Sequence, residues 1–186
     1  MALGLPDLVD DDLLLRPPCL ADVPDIARIC RDPDIERFTR VPSPYTEDDA
    51  RQFVELAAAA LADGSGAHLL VVDRRDDRVL GAVGLSIDDR DWSGELGYWV
   101  APDARRRQVA TRASRLLLRF GFGELELGYV MLWAAAVNAG SNGVARALGF
   151  THEGTSREAM LDGPTGDRSA PRGDANLWGL RPDELT

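Results

Sequence analysis

Two periodicities run through this chain. At 67–73 and 79–87 nearly every position is apolar or small, and the charged run Arg74-Arg75-Asp76-Asp77-Arg78 separates them, which predicts a hairpin. A turn over 88–93 leads to a strand at 94–101 and extends the hairpin into an antiparallel meander. Residues 129–137 are apolar without alternation, as in a strand covered on both faces. Further strands are expected at 13–16, 150–160 and 175–180. The other period, three and four residues, marks helices. Ile26, Ile29 and Cys30 follow Asp22-Val23-Pro24, an N-cap with proline in the first turn. Thr46-Glu47-Asp48-Asp49 opens a second helix with a hydroxyl cap and first-turn carboxylates. Phe53, Leu56, Ala57, Ala60 and Leu61 form its apolar face, and Asp63-Gly64-Ser65-Gly66 stops it. At 109–122, Ala113, Leu116, Leu117 and Phe120 point inward while Arg112, Arg115 and Arg119 share another face, with Gly121 and Gly123 ending the helix. A short helix at 141–148 closes on Gly149. The predicted order is β-α-α-β-β-β-α-β-α-β-β, with seven strands and no internal repeat.

Composition narrows this to one domain. A chain of 186 residues that is 45% hydrophobic can bury one core, and no polar or Gly/Ser-rich linker divides it, so 1–186 reads as a single α/β domain. Residues 1–12 read as flexible, and 161–174, with Asp162-Gly163-Pro164-Thr165-Gly166-Asp167 and Pro171-Arg172-Gly173, as a mobile loop. With 31 acidic against 21 basic side chains the formal charge is -10, which excludes a general nucleic-acid surface. Every basic residue is arginine, a compositional bias, although the planar guanidinium also suits phosphate. Cys19 and Cys30 fit neither a metal-ligand spacing nor a disulfide framework, as in a reducing compartment. The acidic start is unlike a signal peptide, and no stretch reaches the ~18 apolar residues of a membrane helix. A cytoplasmic protein without membrane partners is expected.

The densest chemical signal is the block from Gly94 to Thr111. It reads as a strand ending at Pro102, three consecutive arginines, and a helix that opens on Val109-Ala110-Thr111. A helix N-terminus offers unpaired N–H groups and the positive end of its dipole to an anion. Arg105, Arg106 and Arg107 by themselves fit an ordinary solvated charge run. Their place between a buried-looking strand and a helix start argues for an anion-binding turn. His68 and His152 have no partner ligands at useful spacing, so no metal site is expected.

The same element order, with Glu95-x-Gly97-Tyr98-Trp99-Val100, the arginine loop, and Asn138-x-x-Ser141 ahead of Leu148-Gly149-Phe150, resembles the GNAT acyltransferases. Leu15-Arg16-Pro17, Pro44-Tyr45-Thr46 and the pair Gly81 and Gly84 extend the resemblance over most of the chain, toward the ribosomal-protein N-terminal acetyltransferase branch. It implies a mixed, mostly antiparallel seven-stranded sheet splayed between its fourth and fifth strands to admit acetyl-CoA, and direct acyl transfer to a primary amine of a protein N-terminus or small molecule. No metal is implied, and relatives often pair as homodimers.

The family's phosphate motif, Gln/Arg-x-x-Gly-x-Gly/Ala, falls on Arg105-Arg106-Arg107-Gln108-Val109-Ala110, with Gln108 in place of the central glycine. If that position needs positive φ, a Cβ costs roughly 1–2 kcal/mol, about tenfold in CoA affinity, and Gln108→Gly tightens binding. If it is already helical, the cost is small. The resemblance places Trp99, Val100, Arg105 to Thr111, Asn138 and Ser141 around CoA, with a backbone N–H near Val100 polarising the thioester carbonyl. Glu95 is the implied base that frees the amine, or else a strand-edge surface residue; Glu153 is the rival carboxylate. Asn138 would bond the pantetheine or hold the splayed strand. Ser141 would protonate the leaving thiolate, cap its own helix, or both. Phe38, Tyr45, Trp92, Trp99 and Trp133 line an acceptor pocket or fill the core. The alternative from another class is a non-catalytic GNAT-fold module with weakened acyl-CoA binding, for which Gln108 is the main support.

Overall fold

The apolar runs pair into one sheet. In a computed structural model that describes residues 3–186, its strands are β1 (Leu8–Val9), β2 (Leu13–Arg16), β3 (Gly66–Asp73), β4 (Val79–Asp88), β5 (Ser93–Val100), β6 (Tyr129–Ala135), β7 (Thr151–Leu161) and β8 (Arg172–Leu180). Their spatial order is β1-β2-β3-β4-β5-β6-β8-β7, eight strands where seven were expected. The additional one is two residues long, too short to show alternation. It pairs with β2, and Asp10 and Asp12 just beyond it grip the Arg112 guanidinium, so the chain from Leu8 onward is part of the fold rather than a flexible lead.

Among the described residues, five α-helices complete the fold: α1 (Val23–Cys30), α2 (Pro33–Phe38), α3 (Glu47–Asp63), α4 (Val109–Gly123) and α5 (Ala139–Leu148). Helix α2 has only six residues, too few to show a period, but its cues are local: Asp32 accepts from the Ile35 N–H and Pro33 takes the first position. In α3 the buried residues are Ala50, Val54 and Ala57, while Leu56 is 61% exposed. The expected face is therefore rotated, because the run of alanines at 57–60 gives no size contrast to fix it. Helix α4 runs through Gly121 to Gly123 instead of stopping at them. A Cβ on Gly121 would lie 2.8 Å from a Leu85 methyl, so this glycine is where α4 comes down onto β4. On the alternate residues of β4, Gly84 and Ser86 face Phe53 of α3, which places α3 and α4 on opposite sides of the sheet.

All neighbouring strands are antiparallel except β5 and β6, whose connection through α4 makes them parallel. Their shared register covers only Ser93–Tyr129, Gly94–Val130 and Glu95–Met131. Beyond it β5 stays with β4 as far as Val100 and β6 stays with β8 as far as Ala135, so the sheet opens into a V. The β7–β8 connection is shorter than the 161–174 loop expected, and it is anchored: Arg37 pairs with Asp162 at 2.5 Å and Pro42 bridges to Thr165.

Candidate active site

The V between β5 and β6 leads into a cavity of about 530 Å³. Its walls are built from β5, the start of α4, α2 and the start of α5. Trp99, Val100, Arg105, Arg106, Gln108 to Thr111, Asn138 and Ser141 all line it, so the predicted binding residues meet, apart from Arg107.

The turn before α4 has an uncommon backbone. Arg106 and Gln108 sit at φ of 61° and 59°, left-handed conformations that alternate with ordinary ones. Alternation of handedness can turn successive N–H groups toward one point, the geometry of an anion-binding concavity. The amides of Val109, Ala110 and Thr111 follow as the first turn of α4, and among the described residues no chain oxygen accepts from them. Gln108 thus takes the left-handed of the two conformations that the sequence left open. If the turn keeps this conformation with and without CoA, its strain weighs on folding stability rather than on the CoA affinity that the sequence expectation assigned it to.

The arginines divide by partner. Arg112 is held by Asp10 and Asp12, and Arg115 donates to the Thr186 and Ala147 carbonyls. Arg105 pairs with Asp32 and, at 3.0 Å, with Asp34, which itself lines the cavity. Arg106 and Arg107 have no acidic partner among the described residues. Arg106, which lines the cavity, leaves a free guanidinium beside the turn in a chain of charge -10.

Deeper in the V, the Tyr98 hydroxyl lies 2.7 Å from Ser141 Oγ. Burial pushes the Tyr98 pKa up to about 12, despite the Ser141 hydrogen bond that favours its ionised form. Sequence reasoning left Tyr98 out of the site. Period-2 alternation could have found it, because Tyr98 and Glu95 are three apart and must face opposite sides of the strand. The Ala101 N–H donates to Leu80 O, and the ladder alternation then turns the Tyr98 and Val100 N–H groups away from β4 toward the opening.

Helix α5 starts two residues before the sequence suggested, and its cap is Asn138, which accepts from the Ser141 N–H at 3.0 Å. Ser141 is thus in the first turn, not at the cap, and its hydroxyl is committed to Tyr98. The role of holding the splayed strand falls to Asn142. Its buried amide donates to Ala135 O (3.0 Å) and Asn138 O (2.7 Å), and accepts from Asn176 (2.8 Å) and the Trp178 indole (3.0 Å). One side chain so joins the end of β6, α5 and β8. The missed signal was a polar residue inside a short helix on its apolar face, where burial demands partners.

Glu95 lies on the other face of β5, in a second cavity of about 210 Å³ that shares Tyr98 and Trp99 with the first. Its carboxylate is 3.6 Å from Arg40, and both groups keep contact with solvent. His68 lines the same cavity, and burial lowers its pKa so that the neutral form prevails. The rival Glu153 lines neither cavity and accepts from the Tyr129 hydroxyl at 2.6 Å. Of the aromatics, Trp99 lines both cavities and Phe38 the larger, Tyr45 is core, Trp92 is 70% exposed and Trp133 lines neither.

These elements define a class: an α/β domain with a sheet opened beside a helix N-terminus that is shaped for an anion. The chain belongs to the GNAT acetyltransferase family, for the family model "Acetyltransferase (GNAT) domain" matches residues 12–151. Among relatives, "Putative ribosomal N-acetyltransferase YdaF" of Bacillus subtilis (strain 168) is 32% identical over 128 residues, 68% of this chain and 62% of that protein. The chain thus spans less than two thirds of that relative's length. The ribosomal-protein-S5-alanine acetyltransferase of Vibrio fischeri superposes with a TM-score of 0.82 at 18% identity, covering 96% of this chain and 97% of that one. RimL, a ribosomal L7/L12 alpha-N-protein acetyltransferase solved in complex with coenzyme A, gives 0.83 at 18%, covering 95% and 97%.

Proposed function

We propose that this protein transfers an acetyl or other short acyl group from CoA to a primary amine, by direct attack in a ternary complex. The observation that carries the reading is that two cavities on either side of β5 share Tyr98 and Trp99 in their walls: the larger opens on the bare N-terminus of α4, the smaller holds Glu95. The solved RimL complex with coenzyme A and the names of the relatives support CoA as donor and a protein N-terminus as acceptor.

The residues present fit that donor. Backbone N–H groups from Gln108 to Thr111, with the Arg106 guanidinium beside them, would hold the pyrophosphate. When bound, acetyl-CoA supplies the activated thioester. The Tyr98 and Val100 amides would polarise its carbonyl, and Glu95 would take the proton that an ammonium must lose before it can attack. Tyr98, fixed by Ser141, would face the departing sulfur. With a pKa near 12 against about 8.5 for a thiol, it serves there as a hydrogen-bond donor, so Tyr98 and not Ser141 takes the assisting role. Positioning of amine against thioester contributes the largest part of the acceleration.

A reducing, cytoplasmic setting suits the free thiols of Cys19 and Cys30, and light scattering would read the homodimer expected from relatives. Calorimetry with acetyl-CoA, followed by thiol release in the presence of amino-acid amides and short peptides, tests the function. Saturable binding with amine-dependent thiol release is expected. Binding without release would favour the non-catalytic module, and absence of binding at millimolar ligand would sink both.

A further inference from the structure

The smaller cavity has an unusual floor. Gly84 on β4 and Gly97 on β5 are direct cross-strand partners, so two adjacent strands carry a bare patch in the middle of the sheet. Glycine in a strand interior gives up side-chain packing and raises the entropy lost on folding, so such a pair needs a reason. For Gly84 the reason is internal: a Cβ there would collide with Nδ1 of His68, whose ring lies over it. For Gly97 no such reason exists. A Cβ at Gly97 would meet nothing within 4 Å, and its backbone is ordinary extended strand, which any residue adopts.

The space above Gly97 is therefore empty of protein: the residue is exposed to solvent and lines the cavity. It lies two residues from Glu95 on the same face and adjoins Trp99, which lines both cavities. We propose that Gly97 determines the size of amine this enzyme accepts: its missing side chain leaves the volume into which the acceptor's first carbon atoms fit beside Glu95. The proposal rests on the acyltransfer reading above. It requires that a larger residue at position 97 exclude the acceptor without harming the fold or the donor site on the other face of β5.

The test uses Gly97→Ala and Gly97→Val with glycinamide, alaninamide, leucinamide and phenylalaninamide as acceptors, and reads thermal midpoint, acetyl-CoA affinity by calorimetry and kcat/KM for each amide. Both variants should melt at or above the wild-type temperature and bind acetyl-CoA within twofold. Gly97→Val should lose at least tenfold in kcat/KM, chiefly through KM and most for the larger amides, with Gly97→Ala intermediate. Unchanged transfer by Gly97→Val, or an equal loss for all four amides, overturns the proposal. Wild-type binding of acetyl-CoA with no transfer to any amide overturns the acceptor cavity alone, whereas failure to bind acetyl-CoA overturns the function reading and the proposal with it.

Discussion

The Tyr98 hydroxyl stands 2.7 Å from Ser141 Oγ and so ties β5 to α5 across the gap where β5 and β6 have parted. Neither strand offers the other a backbone ladder at this depth, and this contact fixes the width of the V from the β5 side. Replacing Tyr98 by Phe keeps the ring and removes the donor. Transfer should fall by about 10²-fold while acetyl-CoA affinity changes little, and Ser141→Ala should show a smaller loss of the same kind. The pH dependence has a defined sign. The fold keeps Tyr98 protonated to about 12, above its ordinary 10.0, so its contribution to stability is complete below pH 10 and is lost as pH rises toward 12. Melts between pH 9 and 12 should show a shallower alkaline decline for Tyr98→Phe than for wild type; parallel curves would refute the buried, protonated phenol.

Gln108 is left-handed, at φ 59° and ψ 17°. A Cβ there costs about 1–2 kcal/mol, and glycine gives back roughly 0.5–1 kcal/mol in unfolded-chain entropy. Gln108→Gly should therefore raise Tm by about 2 °C and leave CoA affinity within about threefold. Thermal melts and calorimetry decide this, and a tenfold tighter Kd without a change in Tm would show that the turn rearranges on binding.

Asp34 faces the cavity and shares Arg105 with Asp32. A carboxylate beside a phosphate site opposes the ligand and also engages the arginine nearest to it. Asp34→Asn removes that charge but leaves Asp32, which must stay to cap α2. Because Asp34 is largely exposed, its effect belongs to the range of surface pairs, about 0.2–1 kcal/mol. CoA binding should tighten up to about fivefold at low salt, and the gain should shrink at 0.5 M salt. Weaker binding by Asp34→Asn would mean that the pair with Arg105 holds the site open.

Much of this site could be read from the chain because its signals are local. A strand, a basic loop and a helix start are continuous in sequence, and Gly94 to Thr111 needed no tertiary information to be recognised. What escaped depends on contacts across the fold. Tyr98 acquires its role from Ser141, 43 positions later, and Asn142 from Asn176 and Trp178. The left-handed turn at Gln108 runs against the preference of its side chain, so propensity could not choose between the two readings of that position. Strand β1 and helix α2 are shorter than any periodic window, and their existence rests on Arg112 and on the Asp32 cap.

Glu95 is separated from the donor cavity by the sheet itself, facing Arg40 and the glycine floor. A base in that position would act on the amine and have no contact with the turn proposed to bind phosphate. Glu95→Gln should then reduce transfer by about 10²–10⁴-fold with acetyl-CoA affinity unchanged, and the acidic limb of kcat/KM should flatten. Glu153→Gln serves as the contrast, since its carboxylate is engaged with Tyr129 away from both cavities; it should leave rate and pH profile as they are. A pH profile of Glu95→Gln that matches wild type would remove Glu95 as the base. His68, the other titratable group on that face that burial keeps neutral, would then be the next residue to replace.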